Sequence, residues 1–556
     1  MMFCYQCQEA FKGKGCTERG VCGKDAMTSN IMDLLIYTVK GVSTLTTLMR
    51  DNNIMVADRY NHYVINSLYA TSSNCNYNRE MLKRLISDGI SLKRELIDIC
   101  RGMNLPIPTE DEVSWCGGIN DFTTKAASLS ITEREPDSEQ RNLKEFILYS
   151  LKGVACFMYH IMRMGEDDLG VHTFMQSVLS DMTKKSISED EWMDLIQLTG
   201  QYTMRILALY DQRCCELFGY PELSTVNLST RNRAAILVSG SSLTDLKELL
   251  AQSEGEGIDI YTHNDLISAH SYPVLKRFSH LAGNYGSSWR LQREEFPAFH
   301  GPILFTSEAI IPPSIEFSYK ERIFTTNMTG YPGCRHINCN KAGKKDFSDL
   351  ITTAKEYRAP ANLERGSVKV GFGHNSLSEI SSQIMSAMGL GYIKRFVVIV
   401  GEDGRSTTRE YYTQLAGELP TSCILFTAGS IKYRFFKQRF GYMNGIPRIY
   451  DAGQLNDTYS LIKFFIELKN ALHQHDINDL PIDYFVSWYD QKSIAVLLAL
   501  LAIGIKGIKL GPTSPPFCSE RMMEKLRQHF NLKLISTPEL DIRPIYQKLN
   551  SEPIEV

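Results

Sequence analysis

The 556-residue chain carries no excess of charge of either sign: 60 lysines and arginines face 63 aspartates and glutamates, for a net charge of −3. A balance this close to neutral gives no electrostatic reason to expect nucleic acid or an anionic membrane surface as partner. A basic n-region followed by an apolar h-region is missing at the start, so no secretory leader is expected. Long hydrophobic runs are missing too. The longest, IAVLLALLAIGI over 494–505, is too short to span a bilayer and reads as a buried helix. Repeats and low-complexity tracts are absent. These absences lead to the expectation of a soluble, cytoplasmic protein, and the length to two to four domains.

What the chain does have is cysteine, 14 in all. Without a leader they argue against a disulfide framework. Ten are scattered: Cys75, Cys100, Cys116, Cys156, Cys214, Cys215, Cys334, Cys339, Cys423 and Cys518. Nearly all of these read as small buried hydrophobes. Cys334 and Cys339, in GCRHINC, have no second pair nearby to complete a metal site.

The first third is helical by period. IMDLLIYTVKGVSTLTTLM repeats apolar residues at steps of three and four, and MLKRLISDGISLKRELIDIC, LKEFILYSLKGVACFMYHIM and EWMDLIQLTGQYTMRILALY do the same. Each stripe suits a helix of a bundle. FGYPELSTVNLSTRN (218–232) breaks the period as a linker. Short β-branched runs then alternate with helices: AAILVSG, IDIYTH and GPILFTS, followed by VKVGFG, FVVIVGE, CILFTAG, PRIYDAG, DYFVSWYD and GIKLGP. Near-continuous apolar runs suit parallel strands covered on both faces. The expected fold is multidomain, α plus α/β: an N-terminal cysteine-rich loop (1–28), a helical bundle (29–220) and two α/β domains with mainly parallel sheets (221–360 and 361–556). Ligands of such sheets sit outside the carboxyl ends of the strands, which nominates loops at Ser241, His263, Ser307, Glu402, Ser430, Leu455 and Asp490.

The remaining four cysteines, Cys4, Cys7, Cys16 and Cys22, fall in MMFCYQCQEAFKGKGCTERGVCGK. Soft thiolates select zinc, Cu(I) or iron–sulfur clusters. Zinc usually takes two narrow knuckles, and the second pair here is too wide for one. A cubane tolerates uneven spacing because each thiolate binds its own iron. The spacing therefore favours a 4Fe–4S cluster, with structural zinc or no metal as alternatives. Lys12, Lys14, Arg19 and Lys24 are placed to offset the cluster's negative charge, and nearby glycines to let amides approach the sulfurs.

The quartet, together with YTH, GNYGSSW, RIFTT, VGFGHNS, KYRF, AGQLNDTYS, SWYDQK and LGPTSPPF in order along the whole chain, resembles the hybrid-cluster (prismane) proteins, a family of hydroxylamine reductases. The resemblance implies a helical domain followed by two Rossmann-like domains. It also implies reduction of hydroxylamine or nitric oxide at a buried iron–sulfur–oxygen hybrid cluster, and a ferredoxin-like or flavoprotein electron donor. A homodimer is left open, and no catalytic residue is assigned.

The family holds that cluster with one His, two Glu and four Cys, with a Lys alongside. At the matching positions this chain departs. GSSL puts Ser241 in the histidine's place, and YTHND puts Asp265 in a glutamate's. TSEA has Ala309, VGEDG has Glu402, SIKYRF has Ser430 and GQLND has Leu455 for the four cysteines. SWYDQK shortens the second glutamate to Asp490 and keeps Lys492. The chain therefore reads as a divergent member with a degenerate site, retaining the 4Fe–4S ligands and lacking the hybrid cluster. Three readings follow: a cluster-carrying redox or electron-transfer homologue; a hard-metal enzyme on Asp265, Glu402 and Asp490, with His263 nearby; or a reductase with a rebuilt site. Against the second stands a salt-bridged core, favoured over a metal, in which Lys492 and Arg405 neutralise the carboxylates.

Weaker motifs remain. GFGHNS (371–376) lacks the full dinucleotide fingerprint and reads as a strand-to-helix turn, and VGEDG as a turn that uses Asp403 and Gly404 for their backbone angles. His263, His336 and His374 are candidates for proton delivery, each weighed against an ordinary hydrogen-bonded core role.

Overall fold

The computed structural model describes residues 2–183, 186–307, 309–316 and 318–549. Its first part is a loop around the cysteine quartet, followed by long helices. Ala26–Asp51 is capped by Asp25, whose carboxylate accepts from Thr28 N at 2.8 Å. Asp58–Ala70, Arg79–Gly102, Ser138–Arg163, Leu169–Asp181 and Glu189–Phe218 follow, the last opening on a Ser188/Glu191 capping box. Four of these six are the helices expected from period. Ala26–Asp51 is long and apolar enough to cross a bilayer by length and composition, yet 83% of its most apolar window is buried within the protein. It is a core helix of the bundle.

Two six-stranded sheets follow. The first orders β4 (Leu281–Asn284), β3 (Asp259–His263), β2 (Ala235–Ser239), β5 (Ile303–Phe305), β6 (Ile323–Thr326) and β7 (Arg335–Ile337). The second orders β13 (Ile449–Asp451), β10 (Cys423–Ala428), β9 (Arg395–Gly401), β14 (Ile482–Ser487), β15 (Lys509–Gly511) and β16 (Lys533–Leu534). All pairings within both sheets are parallel. β2, β3, β9 and β10 are buried along their whole length, as their unbroken apolar runs require.

Two expectations are corrected here. VKVGFG does not join the second sheet: β8 (Ser367–Val370) pairs antiparallel with β1 (Ser224–Asn227), which lies inside the stretch read as a linker. β8 alternates buried and exposed residues, the pattern of a ribbon with one wet face. The turn after it is as expected, with Gly371 at φ +99° leading to the helix His374–Gly389.

The apolar run at 494–505 becomes the helix Gln491–Ala502, buried from Gln491 to Leu501. It follows β14 of the second sheet but lodges between two helices of the bundle. The contact is made at glycines. A Cβ on Gly153 would stand 2.3 Å from Gln491 O, and one on Gly200 2.2 Å from Leu498 O. Both backbones touch the inserted helix directly, so neither position has room for a methyl group. Gly153→Ala and Gly200→Ala are each expected to cost about 1–3 kcal/mol of stability by overpacking. Gly102→Ala, where a Cβ meets nothing within 4 Å, is the control and is expected to leave the unfolding midpoint essentially unchanged. Denaturant unfolding of the three variants checks this.

Candidate functional site

The cysteine loop is held shut by an isolated antiparallel bridge: Cys4 N donates to Cys16 O at 2.9 Å and Cys16 N to Cys4 O at 2.7 Å. Phe11 N points at Cys16 Sγ from 3.5 Å. Gly20 is needed beside the last cysteine, because a Cβ there would lie 2.9 Å from Cys22 Sγ. Cys4, Cys7 and Cys22 open on one cavity of about 70 Å³, shared with Lys24, Asp33, Lys40, Arg134, Glu145 and Lys152. Burial, and then the neighbouring Cys22, push the Cys4 thiol up to about 12, and the same causes raise Cys7 well above the usual thiol range. Such thiols ionise when a bound cation supplies compensating charge.

Among the described residues, the three ligand-type atoms that lie within 4.8 Å of one another belong to His62, Asp167 and His172, and no three of the cysteine sulfurs form such a group. A single zinc, at about 2.3 Å from each sulfur, draws its thiolates to within about 4 Å of each other. The wider arrangement fits a multi-iron cluster, which gives each thiolate a separate iron. Of the four cations expected to surround it, only Lys24 faces the cavity; Lys12, Lys14 and Arg19 are exposed. Lys40, Arg134 and Lys152, which come from helices or helix ends far along the sequence, take their place.

The loop is fastened to the second α/β domain. Gln8 N donates to Tyr489 O at 3.0 Å, and Gln491 Nε2 to Gln6 O at 3.2 Å. Arg405 does not neutralise Glu402, as expected from their closeness in sequence. It turns to the loop instead, donating from its backbone N to Glu9 Oε1 at 2.6 Å and from Nε to Glu9 Oε2 at 3.0 Å. Arg409, wholly buried, donates to Glu402 O and Trp488 O, each at 2.7 Å, and to Gln8 Oε1 at 3.3 Å.

The residues that the resemblance sets against the family's cluster positions lie at or shortly after strand ends, near an aromatic pair. Trp289 and Tyr489, ring centroids 4.6 Å apart, form with Ile311 a small core against which both Cys7 and Ala309 pack. Ser241, after β2, hydrogen-bonds Ser307, after β5, through both its N (2.9 Å) and its Oγ (3.1 Å). Glu402, directly after β9, accepts from Ser430 Oγ and pairs with Lys492 Nζ at 3.4 Å. Asp490 caps the Gln491–Ala502 helix, accepting from Ser493 N at 3.2 Å and Oγ at 3.1 Å. Leu455 is buried in the main core, and Gln454 beside it donates to Ser241 O at 3.0 Å. Asp265 is buried at the start of the 3₁₀ turn that follows β3.

Asp265, Glu402 and Asp490 do not form a group with oxygens within 4.8 Å of one another, so the carboxylates are not gathered into a ready-made hard-metal site. His263 points elsewhere. Its Nδ1 meets Ser239 Oγ at 2.9 Å, its ring packs edge-on to Phe296 at 4.8 Å, and burial lowers its pKa to about 3. His336 bonds Thr325 Oγ1 at 2.9 Å, and His374 lies 3.4 Å from Asp211.

Asp403 has a role beyond the turn expected of VGEDG. Its buried carboxylate takes hydrogen bonds from Ser288 Oγ, Arg290 Nε at 3.0 Å and Arg434 Nε at 2.6 Å, while its own N donates to Ser430 Oγ at 2.9 Å. Arg290, Arg409, Arg434, Trp289 and Tyr489 were all missed by sequence reasoning. Trp289, Tyr489 and Arg434 lie inside the motifs GNYGSSW, SWYDQK and KYRF, which was the available signal.

His263 sets an acid limit. In the unfolded chain it takes up a proton near pH 6.5, whereas in the folded chain it stays neutral until about pH 3. The unfolded state therefore binds more protons between these values, and each pH unit lost below about 6.5 costs up to about 1.4 kcal/mol through this group. His263→Gln is expected to flatten that limb in unfolding midpoints measured from pH 7 to pH 4.

The Prismane/CO dehydrogenase family model matches residues 2–543. Among curated relatives, hydroxylamine reductase of Porphyromonas gingivalis is 41% identical over 98% of this chain and 99% of its own length. The hydroxylamine reductases of Bacteroides thetaiotaomicron (42% identical, 97% of this chain, 99% of its own) and Methanocaldococcus jannaschii (41% identical, 98% and 99%) match as fully. Among solved structures, carbon monoxide dehydrogenase IV from Carboxydothermus hydrogenoformans shares the fold, with a TM-score of 0.57 at 14% identity, covering 96% of this chain and 90% of its own. With its length, motifs and architecture all matched, the chain belongs to the Prismane/CO dehydrogenase family of iron–sulfur proteins.

Proposed function

We propose that this protein carries a 4Fe–4S cluster on Cys4, Cys7, Cys16 and Cys22 and serves in electron transfer, without the hybrid cluster and without the reductase mechanism that depends on it. One observation carries the reading: Ser241, Asp265, Ala309, Glu402, Ser430, Leu455 and Asp490 stand where the family resemblance places one imidazole, two glutamates and four thiolates. Leu455 and Ala309 have no donor atom. The remaining donors are oxygens, which suit hard cations and do not select sulfide-bridged iron. The geometry supports this, because these groups serve one another. Ser430 donates to Glu402, Lys492 pairs with Glu402 at 3.4 Å, and Asp490 is taken up in capping its helix.

When bound, a 4Fe–4S cluster supplies one-electron transfer. The chain's contribution is to hold it in a buried cavity beside Lys24, Lys40 and Lys152, whose positive charge favours the reduced, more negative state. Trp289 and Tyr489 lie between the two regions, with Cys7 and Ala309 both packed against the small core they form with Ile311. A ferredoxin-like or flavoprotein donor in the cytoplasm is the partner this reading requires.

The 41% identity to hydroxylamine reductases over 98% of the chain favours a second reading, in which reductase activity persists on a rebuilt site. Hydroxylamine consumption under anaerobic conditions, with a dithionite-reduced viologen as donor, separates the two. The expected outcome is no turnover above a control in which Cys4 and Cys7 are both replaced by serine. Turnover that Asp265→Ala abolishes, together with a fall in iron per chain, would establish the second reading instead.

A further inference from the structure

Three residues of the helical domain, remote in sequence from both sites above, converge in a way no redox role accounts for. His62 lies on the Asp58–Ala70 helix, His172 on Leu169–Asp181, and Asp167 in the turn that leads into the latter. Both imidazoles present Nε2 to the one carboxylate. His62 Nε2 is 2.9 Å from Asp167 Oδ2, and His172 Nε2 is hydrogen-bonded to Oδ1. One ligand atom from each residue lies within 4.8 Å of the other two. We propose that His62, Asp167 and His172 form a binding site for a divalent cation of the zinc class.

The donor set defines the class of ion. Two imidazole nitrogens and one carboxylate oxygen suit borderline cations such as Zn²⁺, Fe²⁺, Co²⁺ or Ni²⁺, and disfavour Mg²⁺ and Ca²⁺, which take oxygen. A zinc ion about 2.0–2.2 Å from each donor sets them roughly 3–3.5 Å apart, so only small side-chain rotations separate the present arrangement from ligation. On binding, each Nε2 gives up its hydrogen bond to the carboxylate for a bond to the metal; a neutral ring keeps its one proton on Nδ1, and a protonated ring releases its Nε2 proton to solvent.

The surroundings are arranged for it. The Asp167 carboxylate is already oriented by Asp168 N, which donates to Oδ1 at 2.8 Å. Two acidic neighbours have partners of their own. Asp168 caps its helix through Val171 N at 3.2 Å and pairs with Arg205 Nε at 2.6 Å, while Glu166 accepts from Asp167 N at 3.4 Å and lies 4.0 Å from Arg213. His172 is buried, whereas the side chains of His62 and Asp167 remain 42% and 37% exposed, which leaves a path for the ion and a face open to water or a fourth ligand. A cation here pins Asp58–Ala70 to Leu169–Asp181 across the surface of the bundle, as a clasp made of three side chains from two helices and a turn.

The test uses the full-length, iron-loaded, untagged protein. It is dialysed to equilibrium against buffers of fixed submicromolar free Zn²⁺, and zinc and iron are then counted per chain. The expected result is one zinc per chain in addition to the iron. His62→Gln and Asp167→Asn, both at partly exposed positions, should each weaken zinc binding at least tenfold while iron per chain stays at its wild-type value. Absence of zinc from the wild type, or zinc held with undiminished affinity by both variants, would overturn the assignment. If the cysteine loop were the zinc site, the variants would retain zinc, and that outcome counts against the proposal.

Discussion

The structure depends on one close contact: the apolar helix Gln491–Ala502, which belongs by chain order to the second α/β domain but is packed into the helical domain against the bare backbones of Gly153 and Gly200. Fully burying a leucine or isoleucine side chain stabilises by about 1.5–3 kcal/mol, and this helix buries Ile494, Leu497, Leu498, Leu500 and Leu501. Because its axis is fixed on both sides, its amino-terminal end is fixed as well. That end carries the residues on which both sites converge. Tyr489 packs against Cys7, Asp490 caps the helix, Gln491 holds the cysteine loop at Gln6, and Lys492 reaches Glu402.

The loop around the quartet, closed on itself by the Cys4–Cys16 bridge, is tied to this end of the helix. Gln8 against Tyr489, Glu9 against Arg405 and Arg409 against Gln8 tie it to the strand ends of the second sheet. A buried arginine such as Arg409 is tolerable only because its guanidinium is met by Glu402 O, Trp488 O and the Ser487 hydroxyl. The same logic governs the strand ends, where buried polar side chains meet one another: Ser241 with Ser307, Ser430 with Glu402, and Glu402 with Lys492.

Much of this was legible in the sequence because the signals are local. The helices at 26–51, 79–102, 138–163 and 189–218 show in the apolar period, and β2, β3, β9 and β10 in unbroken apolar runs. The quartet is visible from spacing alone, since all four cysteines fall within one loop. What stayed hidden is non-local. Arg405 looked like the partner of Glu402 three residues away, but the backbone turns between them and the guanidinium meets Glu9, far along the chain. Asp403 looked like a turn residue because neither Arg290 nor Arg434 is near it in sequence. β8 read as another parallel strand because a short alternating segment carries no mark of its partner, and only the pairing with β1 reveals its direction. The His62–Asp167–His172 cluster could not be seen at all, since its members share a site only once the helices at 58–70 and 169–181 have both packed on the helix at 26–51.

The measurement that bears most directly on the account is iron and acid-labile sulfide per chain in anaerobically purified protein, paired with EPR of the reduced state. About four irons and four sulfides, with a single cubane signal, is the predicted result, since one set of four thiolates remains. About eight irons with an additional high-spin signal would contradict it, showing that oxygen ligands at Asp265, Glu402 and Asp490 hold a second cluster after all.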